Sequence, residues 1–206
     1  MASFLLGIVA SLAATTIWYL MIAIAERRRM GHLSGYWFQI IPGFTGRCYS
    51  IGRFFYSRYS RSLQWDGTNY TLDGTPHCEW ESIHLHMDPS TRKLLYIYRG
   101  RRQSAGFSEF YGFGVMNLQE ATNGKLLPHG GHFQDAQEAA TPQSFSLSKI
   151  EDIAAKLDIQ QGSLCTRDFH HRIVLEYHAA YAGRLSALGE SPQTVTPRRN
   201  DIGSGT

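Results

Sequence analysis

A mainly β fold is predicted, with one membrane-spanning helix at the amino end, a small closed antiparallel barrel of about eight strands, and helices at the carboxy end. Three observations predict it. Residues 3–25 carry no charged side chain. From Gly35 to about Asp135, short aromatic and β-branched runs are cut by turn signals and hold no helical period. Only after Ser148 do apolar residues recur at helical spacing. Residues 1–30 are read as anchor and basic linker, 31–147 as the barrel domain, 148–188 as helices and 189–206 as a disordered tail.

The first element, "SFLLGIVASLAATTIWYLMIAIA", is long enough at 1.5 Å per residue to cross about 30 Å of hydrocarbon. Arg27, Arg28 and Arg29 follow it and only the α-amino group precedes it. The positive-inside rule therefore places the amino terminus outside and the rest of the chain in the cytoplasm. Ala23-Ile24-Ala25 resembles a signal-peptidase site, but a signal peptide carries its basic residues before a shorter apolar run. Gly7, Ser11 and Thr15 lie four apart on one helical face, a small-residue stripe suited to self-association.

Strands are expected near 35–41, 47–59, 62–72, 80–87, 93–101, 107–118, 131–136 and 143–147. The punctuation between them is Asp66-Gly67, Asp73-Gly74, Asp88-Pro89-Ser90, Arg99-Gly100, Asn123-Gly124 and Gly130-Gly131, all read as turn or bulge chemistry. A run of hairpin-joined strands closes most simply into a barrel, which leaves no edge exposed. Ser148 with Glu151 three residues on forms a capping-box pattern, predicting a helix over 149–157. A second helix over 167–188 aligns Phe169, Ile173, Tyr177, Tyr181, Leu185 and Leu188 on one face.

Charged residues make up 18 % of the chain and aromatic residues 13 %, the balance of a folded domain. Three cysteines without a CxxC spacing signal neither a disulfide framework nor a zinc site. Asn69-Tyr70-Thr71 spells a glycosylation acceptor that has meaning only in a secreted protein. No nucleophile elbow, P-loop, dinucleotide fingerprint or HExxH occurs, so no enzyme is signalled and no cofactor is expected. Glu79, Glu81, Glu109 and Asp135 sit in strands, where rim carboxylates are ordinary. His84 with His86, and His129 with His132, would suit a metal or haem, but no fourth ligand is placed. The stronger lead is the interleaving of rings and guanidinium groups in "YSIGRFFYSRYSR" and "LLYIYRGRR", which suits stacked bases and phosphates.

The layout as a whole resembles a family. The features are the membrane segment, the basic linker, Gly35-x-Trp37, a hairpin with Trp80-Glu81-Ser82 and Leu95-Tyr96-Ile97-Tyr98, and Gly131-His132-Phe133. Over residues 3–147 it is similar to the transmembrane β-strand-rich effectors of bacterial anti-phage signalling, including STING-like minimal barrels of CBASS and Panoptes-type effectors. That resemblance implies a cyclic di- or oligonucleotide ligand, a functionally linked nucleotide cyclase, homo-oligomerisation, and damage to the lipid of the inner membrane, with no DNA or RNA partner. The chain departs from the best-known members in having one membrane helix rather than two, and in its long C-terminal helix. A rival reading takes Gly35-x-Trp37 as the opening of a lipocalin-like carrier of lipid or haem.

Strand parity supplies the expected site. Tyr49, Ile51, Arg53 and Phe55 share a face. So do Ile83, Leu85 and Met87, then Leu95, Ile97 and Arg99, and finally Phe107, Tyr111, Phe113 and Val115. These more apolar faces are expected to point inward, burying Arg53 and Arg99. Each would then need an anion, either a carboxylate such as Glu81 or Glu109 or the phosphates of a ligand. Arg53 and Arg99 are taken as phosphate ligands, and Tyr59 and Tyr111 as stacking platforms. A slip of one residue would bring Tyr56, Arg58 and Tyr98 inward instead.

Overall fold

The computed structural model describes residues 2–42, 49–57, 62–102, 109–136, 141–160 and 164–189. Helix α1 (Ala2–Met30) includes the basic residues expected in a linker, and its Leu6–Ala25 stretch has a mean hydropathy of 2.0 and is not buried among the described residues. It is long and apolar enough to cross a membrane. Thr15 and Thr16 donate their hydroxyls to the carbonyls of Ser11 and Leu12, so these two hydroxyls are satisfied within the helix.

One 3-10 turn, Gly31–Leu33, leads into β1 (Gly35–Ile40). There follow β2 (Tyr49–Ser57), β3 (Ser62–Tyr70), β4 (Pro76–Asp88), β5 (Lys93–Arg102), β6 (Glu109–Glu120), β7 (Leu126–Asp135) and β8 (Gln143–Lys149). Consecutive strands pair antiparallel, and β8 returns to β1, closing the barrel. The expected eight-stranded barrel is present. Gly35 has φ +123°, open only to glycine, which turns the chain sharply out of the helical segment into β1. Two residues on, Trp37 fills the barrel and donates Nε1–H to the Leu33 carbonyl at 3.0 Å.

Asp73-Gly74, Asp88-Pro89-Ser90 and Asn123-Gly124 are turns, with Gly74 and Gly124 at positive φ and Asp88 accepting from the Ser90 and Thr91 hydroxyls. Asp66-Gly67 and Arg99-Gly100 are not. They run unbroken through the middles of β3 and β5. Their glycines face the interior, each under a ring from a neighbouring strand: an added Cβ would lie 2.4 Å from Trp80 at Gly67 and 2.1 Å from Phe110 at Gly100. Gly52 lies likewise under Trp65, Gly112 under Tyr98 and Gly114 under Tyr96. Glycine here makes room for aromatic filling. Gly130-Gly131 lies within β7 beside a register shift opposite Asn117/Leu118, so β7 begins at Leu126 rather than 131.

The C-terminal helices are α2 (Ile150–Lys156) and α3 (Arg167–Gly189). The expected capping box does not form. Ser148 is held in the β1–β8 ladder opposite Phe38, and Lys149 stands at the N-cap without a side-chain bond. Phe169, Ile173 and Tyr177 of α3 and Ile150 and Ile153 of α2 pack on Phe38, Tyr49, Ile51 and Tyr70. The molecule therefore has two apolar cores, one inside the barrel and one between its outer wall and the helices. Tyr181 continues the face by stacking on Tyr177 at 4.6 Å. The side chains of Leu185 and Leu188, and the tail from residue 190, lie outside the described residues.

Candidate binding site on the outer wall

The second core overturns the expected parity. In β2 the apolar odd positions Tyr49 and Ile51 point outward because α2 and α3 cover them, while the even positions Ser50, Gly52 and Phe54 line the inside. An apolar outer face imitated an inner one. In β5 and β6 the inward residues are Leu94, Tyr96, Tyr98, Phe110 and Met116, so Leu95, Ile97, Arg99, Tyr111 and Phe113 point out. In β4 a bulge between Ser82 and His84 exchanges the faces mid-strand. Trp80 is inside before it, Leu85 and Met87 after it, and Ile83 is left outside.

Arg53 and Arg99 are consequently not buried: each side chain is 44 % exposed. The ladder nevertheless unites them. Residues opposite one another run Tyr36, Arg53, Asp66, Glu81, Arg99, Tyr111 across six strands, a single row on the outer wall. The next row runs Thr68, Glu79, Arg101, Glu109. Arg53 Nη2 meets Asp66 at 3.0 Å, Arg99 Nε meets Glu81 at 2.7 Å, Arg101 Nε meets Glu109 at 3.2 Å, and Arg167 from α3 reaches Glu79 at 3.3 Å. The Arg53 guanidinium also lies 4.5 Å from the Phe55 ring centroid. Arg53, Asp66, Glu79, Glu81, Arg99 and Arg101 line a groove of about 530 Å³ bounded by Tyr36 and His170, within the range of small-molecule sites, and Tyr111, expected as a stacking platform, does not line it. Tyr59 and Arg58 lie outside the described residues.

His170 closes the groove at its α3 side. The Leu164 carbonyl can only accept, so His170 Nε2 donates to it at 2.7 Å and Nδ1 accepts from the Tyr70 hydroxyl at 3.2 Å. Burial holds its pKa below the ordinary value, favouring this neutral form.

The barrel interior is a lesser site. Its cavity is about 50 Å³, lined by Trp65, Trp80, Tyr96, Tyr98, Arg102 and Asp135 at the end away from α1. That is space for water, not for a nucleobase or haem. Of the residues expected inward after a slip, Tyr98 is inside, donating to Asp135, and Tyr56 is half-buried. Burial, and after it the Asp135 carboxylate, pushes the Tyr98 hydroxyl far above its ordinary pKa. His84, His86, His129 and His132 are exposed, and among the described residues no three His, Cys, Asp or Glu side chains converge to hold a metal.

Sequence reasoning missed Asp66, Tyr36, Arg101 and His170. Asp66-Gly67 reads as a turn in the sequence, whereas the place of Asp66 opposite both Arg53 and Glu81 follows only from register. Gly7, Ser11 and Thr15 are exposed along α1, and the space around Gly7 is open. No family model, no curated protein and no solved structure matches the chain.

Proposed function

We propose that the protein is a non-enzymatic membrane effector of anti-phage signalling. In this reading a cyclic di- or oligonucleotide, made by a linked cyclase, binds the outer groove of a cytoplasmic barrel and controls self-association and disruption of the inner membrane. The observation that carries the ligand assignment is the row Arg53, Asp66, Glu81, Arg99, whose two guanidinium groups lie in a groove of about 530 Å³ with the Tyr36 ring at one edge, while Tyr111 ends the row beyond the groove. Guanidinium forks suit phosphates, and phenol rings suit bases. The Arg99 contact to Glu81 uses Nε, one of five N–H donors, which leaves the group capacity for a phosphate beside the carboxylate. The Glu81 and Asp66 charges oppose that phosphate, so the site discriminates by geometry as well as charge. A lipid or haem carrier would require an interior of several hundred Å³; the described interior offers about 50 Å³.

The test is titration of the full chain in detergent with cyclic dinucleotides and trinucleotides, with haem and a fatty acid as controls. A ligand at a hundred times its Kd should stabilise the fold by about 2.7 kcal/mol. Arg53→Met and Arg99→Met should abolish that gain in folded protein, and Glu81→Gln should raise affinity by freeing Arg99. Unimpaired binding in both arginine variants would reject the groove, and no response to any nucleotide would reject the ligand class.

A further inference from the structure

One face of the barrel remains unexplained by the groove. Ile83, Leu95, Ile97, Tyr111 and Phe113 form an apolar patch on the outer wall of β4–β6, each between 43 % and 55 % exposed. Register joins them: Ile97 is opposite Phe113, Leu95 opposite Val115, and Ile83 sits in the β4 bulge beside them. Outer positions of a barrel not covered by other elements are ordinarily polar. The second core shows the contrast, since on β1–β3 the apolar outer residues are covered by α2 and α3. On β4–β6 nothing in the chain's described residues covers them.

We infer that this face is where a second copy of the chain docks, through a two-fold axis between β4 and β5. The charges beside the patch support that occupant. The outer column of β4 carries Glu79 and Glu81, and the outer column of β5 carries Arg101 and Arg99, each glutamate opposite its arginine in register. A two-fold axis between the columns exchanges them, so the acidic column of one copy faces the basic column of the other. Glu81 then lies against the second copy's Arg99, Ile83 of β4 meets Leu95 and Ile97 of the second copy's β5 beside it, and Tyr111 and Phe113 on β6 flank the contact. An isologous contact needs this kind of self-complementarity. Tethering by α1 sets two copies in one membrane side by side with the same end up, the arrangement a two-fold along the membrane normal requires. The bilayer itself is the poorer occupant. Toward the α1 end the patch is bordered by Asp88, Lys93 and the Arg92–Glu120 ion pair at 3.1 Å, a charged rim between it and the lipid.

The inference extends the self-association part of the reading above; because Glu79, Glu81, Arg99 and Arg101 also line the groove, a docked copy and a ligand would compete for this wall, and association is therefore tested without nucleotide. Two differently tagged full-length copies are co-expressed, extracted in mild detergent and captured through one tag. Glu81→Arg expressed in both copies, or Arg99→Glu in both, sets like charges face to face and should lower recovery of the second tag more than about tenfold. Glu81→Arg in one copy with Arg99→Glu in the other restores opposite charges only between chains, the intrachain pair staying broken in both, and recovery should return. Ile97→Glu should also remove it, with circular dichroism reporting that the barrel persists. Equal recovery in all combinations, as association through α1 alone would give, overturns the inference. So does a loss that mixing does not repair, or full recovery with Ile97→Glu. The groove reading stands or falls separately, by the nucleotide titration.

Discussion

Replacing Gly52 by alanine puts the ring-over-glycine packing to a quantitative test. The new Cβ would sit 2.3 Å from Trp65 Nε1 and 3.1 Å from Trp80, inside van der Waals contact with both. Trp65 has nowhere to go: it is 1 % exposed, stacked on Phe54 at 5.0 Å, and edge-on to Trp80 at 4.6 Å and Tyr96 at 5.1 Å. Forcing a methyl into a filled core costs about 1–3 kcal/mol, and with the indole held on three sides we expect the upper half, about 2–3 kcal/mol. For a fold of this size that lowers Tm by about 5–10 °C. The assay is thermal unfolding of the full chain in detergent, followed by tryptophan fluorescence. The control is a double-mutant cycle. Trp65→Phe removes the nitrogen and the fused ring, so Gly52→Ala in that background should cost less than about 0.5 kcal/mol, a strong coupling between the two sites. A Gly52→Ala protein that melts with the wild type would refute the packing argument, and so would the same loss in both backgrounds.

Three further outcomes are expected. Because burial depresses the folded-state pKa of His170, its contribution to stability is present above its unfolded value of about 6.5 and is lost as pH falls through the lower folded value. Tm measured down from pH 7.5 should therefore drop more steeply in the wild type than in His170→Gln, and parallel profiles would rule this out. Removing residues 2–25 should yield a soluble, harmless protein that still binds the nucleotide; killing by that fragment would contradict a membrane mechanism. Gly7→Ile should weaken self-association of α1 without changing its fractionation with membranes. Unchanged association would remove the small-residue face from consideration.

How much could be read from the chain depended on whether a signal was local. The uncharged run, the eight strand segments and the Phe169, Ile173, Tyr177 stripe each declare themselves within a few residues. Which side of each strand faces in did not, because two unrelated partners make a strand face apolar. On β2 the outer residues Tyr49 and Ile51 are apolar on account of helices a hundred residues later in the chain, while the inner Ser50 and Gly52 look solvent-facing because tryptophans from β3 and β4 fill their space. The bulge at Ile83 adds a reversal that alternation alone cannot show. Arg53, Arg99 and Tyr111 therefore share one register row, on the opposite side of the wall from the one parity predicts, and Tyr59 lies outside the described residues. On a strand without a bulge same-parity residues stay together whichever way it is turned, so a parity error moves them as a set.

The junction between α1 and the barrel has a mechanical consequence. Helix, single 3-10 turn and β1 follow with only Ser34 between the last two. Leu33 is fully buried in the barrel's own core, and His32 Nε2 lies 2.9 Å from the Leu126 carbonyl. This is a splined coupling, not a swivel. Torque on α1 passes to the barrel through this junction, which couples the azimuth of the Gly7, Ser11, Thr15 stripe to that of the β4–β6 wall. One residue inserted at Gly31 as a further helical residue would turn one against the other by about 100°. Two surfaces locked in phase can engage the same neighbour only if they point the same way; otherwise each recruits a different neighbour, and the assembly becomes a chain instead of a pair.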